Sequence, residues 1–175
     1  PMRAYVFTDG ALSAGELDPI LRRAVDLSFN MLSVDTDTST SDTCAILANG
    51  LAGPVAPHEF EAALVFACTE MTKLMARDGE GATKLLEARV SGAATEAEAR
   101  IVAKSIVNSP LIKTMAYGAD PNIGRVLMAV GKCHECRIDP AAVFVVINDT
   151  PVFENLRKRN YDEDRLRSLL GGEHV

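Results

Sequence analysis

The sequence predicts an α+β fold in which sheets and helices form layers. Two observations carry this. Strand-like and helix-like segments mix along the chain without strict β-α-β alternation. Two pairs of strand segments, 31–36 with 43–49 and 142–147 with 152–154, are close enough in sequence to pair directly. A third observation sets the scale: 175 residues, 47% hydrophobic and 24% charged, are enough for a single domain over 1–175 with one ordinary core.

Residues 3–9 alternate and then run apolar, as a strand does. Ser13 can cap a helix whose Leu17, Ile20, Leu21, Ala24 and Val25 fall on one face at helical spacing. Strands are expected near 31–36 and 43–49, separated by a hydroxyl-rich, acidic segment. Pro57 suits a first helical turn. The helix it opens, near 57–77, would bury Phe60, Leu64, Cys68, Met71 and Met75 and stop at Gly79.

Residues 83–91 read as a further strand. Thr95 with Glu98 makes a capping box for a helix burying Ala99, Val102, Ala103 and Ile106. Asn108-Ser109-Pro110 breaks it, and a short segment, 111–117, leads to the loop Gly118–Gly124 and a helix near 122–131. Ala142–Ile147 is a buried strand, joined through Asn148-Asp149-Thr150-Pro151 to Val152-Phe153-Glu154. A last amphipathic helix carries Leu166, Leu169 and Leu170.

Composition excludes some classes of function. The formal charge of −6 argues against nucleic acid, because phosphate binding needs a basic patch. The one basic run, Arg157-Lys158-Arg159, lies beside Asp162, Glu163 and Asp164 and reads as a solvated helix approach. No apolar run approaches the roughly 18–20 residues that span a bilayer. Cys44 and Cys68 fall on apolar faces, where a free cysteine behaves as a small hydrophobe, and this usage fits the cytoplasm. Cys133-His134-Glu135-Cys136 resembles half a zinc knuckle, but a structural zinc site needs a second ligand pair, and none follows. No metal is expected.

Four other stretches carry candidate chemistry. Asp35, Asp37 and Asp42 with Ser39 and Ser41 suggest a calcium loop, yet Thr40 stands where the sharp turn needs Gly, and Ile46 stands where the bidentate acid belongs. Short polar side chains bonding their own backbone explain the stretch better. Gly79-Glu80-Gly81 follows a helix and precedes a strand, the reverse of a dinucleotide loop; read from the residues, Gly79 ends the helix and Glu80 is solvated. Lys84 would pair with a substrate carboxylate or with Glu80. The Gly118–Arg125 loop enters a helix N-terminus, able to hold an anion. Equally, Asp120 would cap that helix, with Pro121 at its first position and Gly124 allowing close packing. His58, His134 and His174 are isolated on polar segments, and none makes a convincing base.

Four segments, Pro1–Gly10, Val34–Thr43, Asp78–Lys84 and Gly118–Arg125, together resemble the β chain of the ornithine acetyltransferases. These are the self-cleaving glutamate N-acetyltransferases of arginine biosynthesis, with paralogues in antibiotic gene clusters. The resemblance covers nearly the whole chain. It implies an αββα sandwich shared with a separate α chain cut from the same precursor, and an α2β2 assembly. It implies a two-step acetyl transfer from N-acetylornithine to glutamate without metal or nucleotide cofactor. The oxyanion donors would come from the α chain, and further contacts from a C-terminal segment that this chain lacks. A chain opening directly on a core-type strand also fits a processed precursor.

In that family the residue at position 1 is a Thr whose hydroxyl attacks, while its free α-amine, with a pKa of about 8 in peptides, takes the proton. Here Pro1 occupies the position and has no hydroxyl. Three explanations stay open: an introduced or misassigned residue, a naturally silent or repurposed relative, and an enzyme working through its N-terminal proline. The family's Glu at the position of Glu80 contacts the amino-acid substrate near the nucleophile. Two other outcomes from different classes are an aminopeptidase or amidase, with water as acceptor, and a binding subunit without turnover.

Overall fold

The computed structural model describes residues 2–175 and divides into two compact units, one running to Ala76 and the other over Arg77–Val175. It is a mixed fold of helices and small sheets, as expected. In the first unit β1 (Arg3–Ala11) leads to α1 (Ala14–Leu27), a 3-10 turn at Phe29–Met31, β2 (Thr43–Pro54) and α2 (Pro57–Arg77). Ser13 caps α1 through a full capping box with Glu16, which satisfies two of the helix's orphan N–H groups at once. Pro57 opens α2 as expected.

β1 and β2 pair in parallel, from Arg3 opposite Thr43 to Thr8 opposite Ala48, and then slip so that Gly10 faces Gly53. Residues 49–52 of β2 thus bulge where β1 has only Asp9. Gly53, at φ 83°, takes up a backbone turn that a side chain would resist. The expected strand at 31–36 is a correction: Phe29–Met31 is a 3-10 turn, and 32–42 carry no strand. Polar side chains there take up backbone N–H groups that a ladder would need. Asp37 N–H donates to Asp35 Oδ1 at 2.8 Å, Ser41 N–H donates to Ser39 Oγ at 3.2 Å, and Thr36 sits at φ 79°. β2 therefore takes its partner from β1 across the α1 crossover, which parallel pairing requires.

The second unit contains α3 (Glu96–Val107), α4 (Pro110–Tyr117), α5 (Ile123–Gly131), a 3-10 turn at Pro140–Ala142, β3 (Val145–Ile147), β4 (Thr150–Glu154), β5 (Arg157–Lys158) and α6 (Glu163–Leu170). The three strands form an antiparallel sheet in the order β3-β4-β5. Both hairpins turn on two residues with positive φ, Asn148-Asp149 and Asn155-Leu156, the conformation whose twist matches right-handed strands. Val145, Ile147 and Val152 from the sheet pack with Ile112, Leu166 and Leu170 from the helices in one buried cluster.

Three expectations change here. Residues 83–91 form no ladder strand; Leu85 alone makes a parallel bridge, to His174. Residues 111–117 belong to α4, because Ser109 caps it and Pro110 fills its first position. Arg157-Lys158 is β5 rather than a helix approach; Lys158 pairs with Glu163 at 2.5 Å, and Arg159 beyond the strand pairs with Glu154.

Candidate functional site

Pro1, the expected catalytic position, lies outside the described residues. Its neighbour is firmly placed. The Met2 N–H donates to Asp42 Oδ1 at 2.6 Å, and the Met2 carbonyl accepts from Thr43 N–H at 3.0 Å. One carboxylate and one ladder bond thus hold the start of β1 from both sides. Asp42 figured in the sequence only as part of a failed calcium pattern, and its partner is 40 residues away. No local signal marks such a pair.

Glu80 stands in a tight turn after α2, closed by Ala82 N–H donating to Gly79 O at 2.9 Å, with Gly81 at φ 70°. Only a glycine takes that conformation without strain. The Glu80 side chain is exposed and has no hydrogen-bond or ion-pair partner among the described residues. The turn therefore presents a carboxylate with its full capacity to accept from an ammonium group.

Lys84 is neither of the things the sequence suggested. Its Nζ donates to Leu170 O at 2.5 Å and Gly172 O at 3.1 Å. These are carbonyls at the C-terminal end of α6, where a cation also meets the negative end of the helix dipole. The role is structural.

The Gly118–Arg125 loop is a connector between α4 and α5. Gly118 caps α4, Ala119 takes φ 48°, and Asn122, not Asp120, is the N-cap of α5, without a side-chain bond. Pro121 accordingly sits before the cap. Arg125 donates to Leu111 O at 2.8 Å and to Thr114 Oγ1 at 2.9 Å, tying α5 back to α4. Among the described residues no group of three or more His, Cys, Asp or Glu is placed to hold a metal ion, and the four cysteines are free thiols. Burial pushes the Cys44 and Cys68 thiols up, which keeps them protonated and poorly nucleophilic. Among the described residues no helix is long and apolar enough to cross a membrane.

A parallel strand pair pinned at its start, a glycine-framed acidic turn and a small helical unit give the chain a mixed fold of helices and small sheets. The model matches the crystal structure of the arginine biosynthesis bifunctional protein argJ from Bacillus halodurans with a TM-score of 0.93 and 37% identity, covering 98% of this chain and 83% of that one. The ArgJ family model matches residues 1–175, and the chain belongs to the ArgJ family. It is 52% identical over 162 residues to the arginine biosynthesis bifunctional protein ArgJ of Rhodococcoides fascians, covering 92% of this chain and 40% of that protein. It is 49% identical to ArgJ 2 of Nostoc sp., covering 99% of this chain and 45% of that protein. The glutamate N-acetyltransferase Oat2 of Streptomyces clavuligerus is 46% identical, with 98% and 44% covered. The chain thus spans less than half the length of these curated relatives.

Proposed function

We propose that this chain is the β subunit of a glutamate N-acetyltransferase, moving acetyl from N-acetylornithine to glutamate in the cytoplasm for arginine biosynthesis or acetyl recycling. The family match over the whole chain carries the reading, and the relative named as a glutamate N-acetyltransferase supports it. In the proposed reaction a nucleophile at position 1 attacks the acetyl carbonyl carbon. The amide C–N bond breaks, and ornithine leaves with the proton. Glutamate's amine then attacks the acyl-enzyme and restores the nucleophile. No metal or nucleotide is needed. Glu80, on its open turn, would hold a substrate ammonium group. The partner would be an α chain from the same precursor, in an α2β2 assembly, with this chain as one functional domain.

Pro1 bears on a second reading. Without a hydroxyl it forms no acetyl ester, which favours a binding subunit without turnover for the chain as it stands. The discriminating experiment uses the assembled protein with and without the substitution Pro1→Thr, given N-acetylornithine with or without glutamate. The Thr form is expected to gain one acetyl on this chain by intact mass and to transfer it only when glutamate is present. The Pro1 form is expected to be slower by orders of magnitude, as when a hydrolase loses its nucleophile. Equal turnover of both forms would remove position 1 from the mechanism; release of free acetate without glutamate would make the protein a hydrolase.

A further inference from the structure

Asp42 takes a bond that the strand pairing would otherwise make. Arg3 stands opposite Thr43, and Thr43 N–H donates to the Met2 carbonyl at 3.0 Å. In that register a regular parallel ladder would send the Met2 N–H to the Ser41 carbonyl. It donates instead to Asp42 Oδ1, at 2.6 Å, and the Ser41 carbonyl accepts from the Thr43 hydroxyl at 3.5 Å. A side chain has replaced the first rung.

Satisfying a donor does not account for this replacement. The bond lies in an exposed place, where water satisfies an N–H as well. Water has no fixed position, whereas Asp42 directly precedes β2 and is held at its head. Its approach is firm too: Asp37 N–H donates to Asp35 Oδ1 at 2.8 Å and Ser41 N–H to Ser39 Oγ at 3.2 Å. A carboxylate accepting from a backbone N–H also makes a shorter and stronger bond than a neutral acceptor does. The Met2 N–H is therefore aimed as well as satisfied.

Covalent geometry carries that aim one residue back. The peptide unit containing the Met2 N–H is planar, and the same plane includes the carbonyl and Cα of position 1. With the Met2 N–H held by Asp42 and the Met2 carbonyl held by Thr43, that plane has little freedom to turn. We infer that Asp42 is a positioning residue for the acetyl transfer proposed above, aiming the nucleophile at position 1 through the amide that follows it. The inference rests on that reaction. Acyl transfer is sensitive to such aim, since a misplacement of about 1 Å costs on the order of a hundredfold in rate. The role needs an acceptor oxygen, which Asn also supplies and Ala does not.

The test uses the assembled protein in its Pro1→Thr form, alone and with Asp42→Ala or Asp42→Asn. Acetylation of this chain by N-acetylornithine is followed by intact mass over a range of substrate concentrations, beside the thermal midpoint. Asp42→Ala is expected to lower the maximal rate by at least about tenfold while half-saturation moves less than about twofold, the split of an interaction that aids the reaction rather than binding. The midpoint should barely move, and Asp42→Asn should recover most of the rate. Equal rates for Asp42→Ala and its parent would overturn the inference and leave the reaction standing. So would a change in half-saturation alone, which would make Asp42 a substrate contact. A loss that follows a fallen midpoint, or one that Asp42→Asn does not recover, would overturn it as well. A Pro1→Thr parent that gains no acetyl would overturn the reaction itself, and this inference with it.

Discussion

In the second unit the sheet turns Val145, Ile147 and Val152 onto α6, where Leu166 and Leu170 are fully buried. In the first, β1 and β2 turn Val6 and Ile46 toward the cluster of Ile20, Ala24, Leu64 and Cys68, and their other face shows Tyr5 at 57%, Phe7 at 74% and Leu47 at 52% exposure. The difference follows from the kind of sheet. Antiparallel hairpins need one apolar face, and a neighbouring stretch of chain, α6, covers it. Parallel strands are stable with both faces covered, and the first unit's own helices supply one cover. The open row of large apolar side chains is the face that the proposed α-chain partner would cover.

The contrast can be broken most directly in the core. Leu166→Ala removes a fully buried side chain and is expected to cost about 2–5 kcal/mol, seen as early loss of the second unit's amide protection on denaturation. If Leu166→Ala destabilised the first unit as strongly, the two would be one cooperative body. On the open face, Phe7→Thr keeps a β-forming residue and is expected to leave the chain's midpoint nearly unchanged. It should weaken association with the partner about tenfold, or roughly 1.4 kcal/mol, by sedimentation or titration. Unchanged association would show that the exposed row is not the interface.

A smaller effect tests what holds the second unit's last helix. Lys84→Met removes two bonds to carbonyls at the end of α6 and is expected to cost about 1–2 kcal/mol, with faster exchange confined to Leu169–Gly172. If substrate affinity changed instead, Lys84 would have a binding role. The smallest stability change is expected at Glu80→Ala, within about ±0.5 kcal/mol, since its carboxylate is exposed and has no hydrogen-bond or ion-pair partner among the described residues. Made in a Pro1→Thr background, it should weaken amino-acid binding or turnover; lost stability with unchanged kinetics would make Glu80 structural.

Much of the helical layer was legible from the residues. The capping box at Ser13 and Glu16, the Pro at position 57, the Thr95 cap and the apolar spacing of α1, α2, α3 and α6 are local signals, and the helices stand where those signals put them. The strands were less legible. A hairpin between 31–36 and 43–49 looked natural by proximity, but Asp35, Ser39 and their neighbours close turns on themselves, and β2 pairs instead with a strand forty positions upstream. Of the candidate site, the exposed acidic turn at Glu80 could be read from its flanking glycines. The Asp42 bond to Met2 could not.

The sequence by itself determined where α1, α2, α3 and α6 lie and which short motifs this chain shares with the ArgJ family, because caps, turns and periodicity act over a few residues; it did not foresee that Met71 of α2, expected in the core, is exposed. Only the tertiary structure decided partners: β1 with β2, Leu85 with His174 across the length of the second unit, and Lys84 with the end of α6 rather than with Glu80 or a substrate. Each of those choices satisfies a backbone or charged group whose partner is distant in sequence, and nothing in the spacing of residues records which distant group the folded chain will bring within reach.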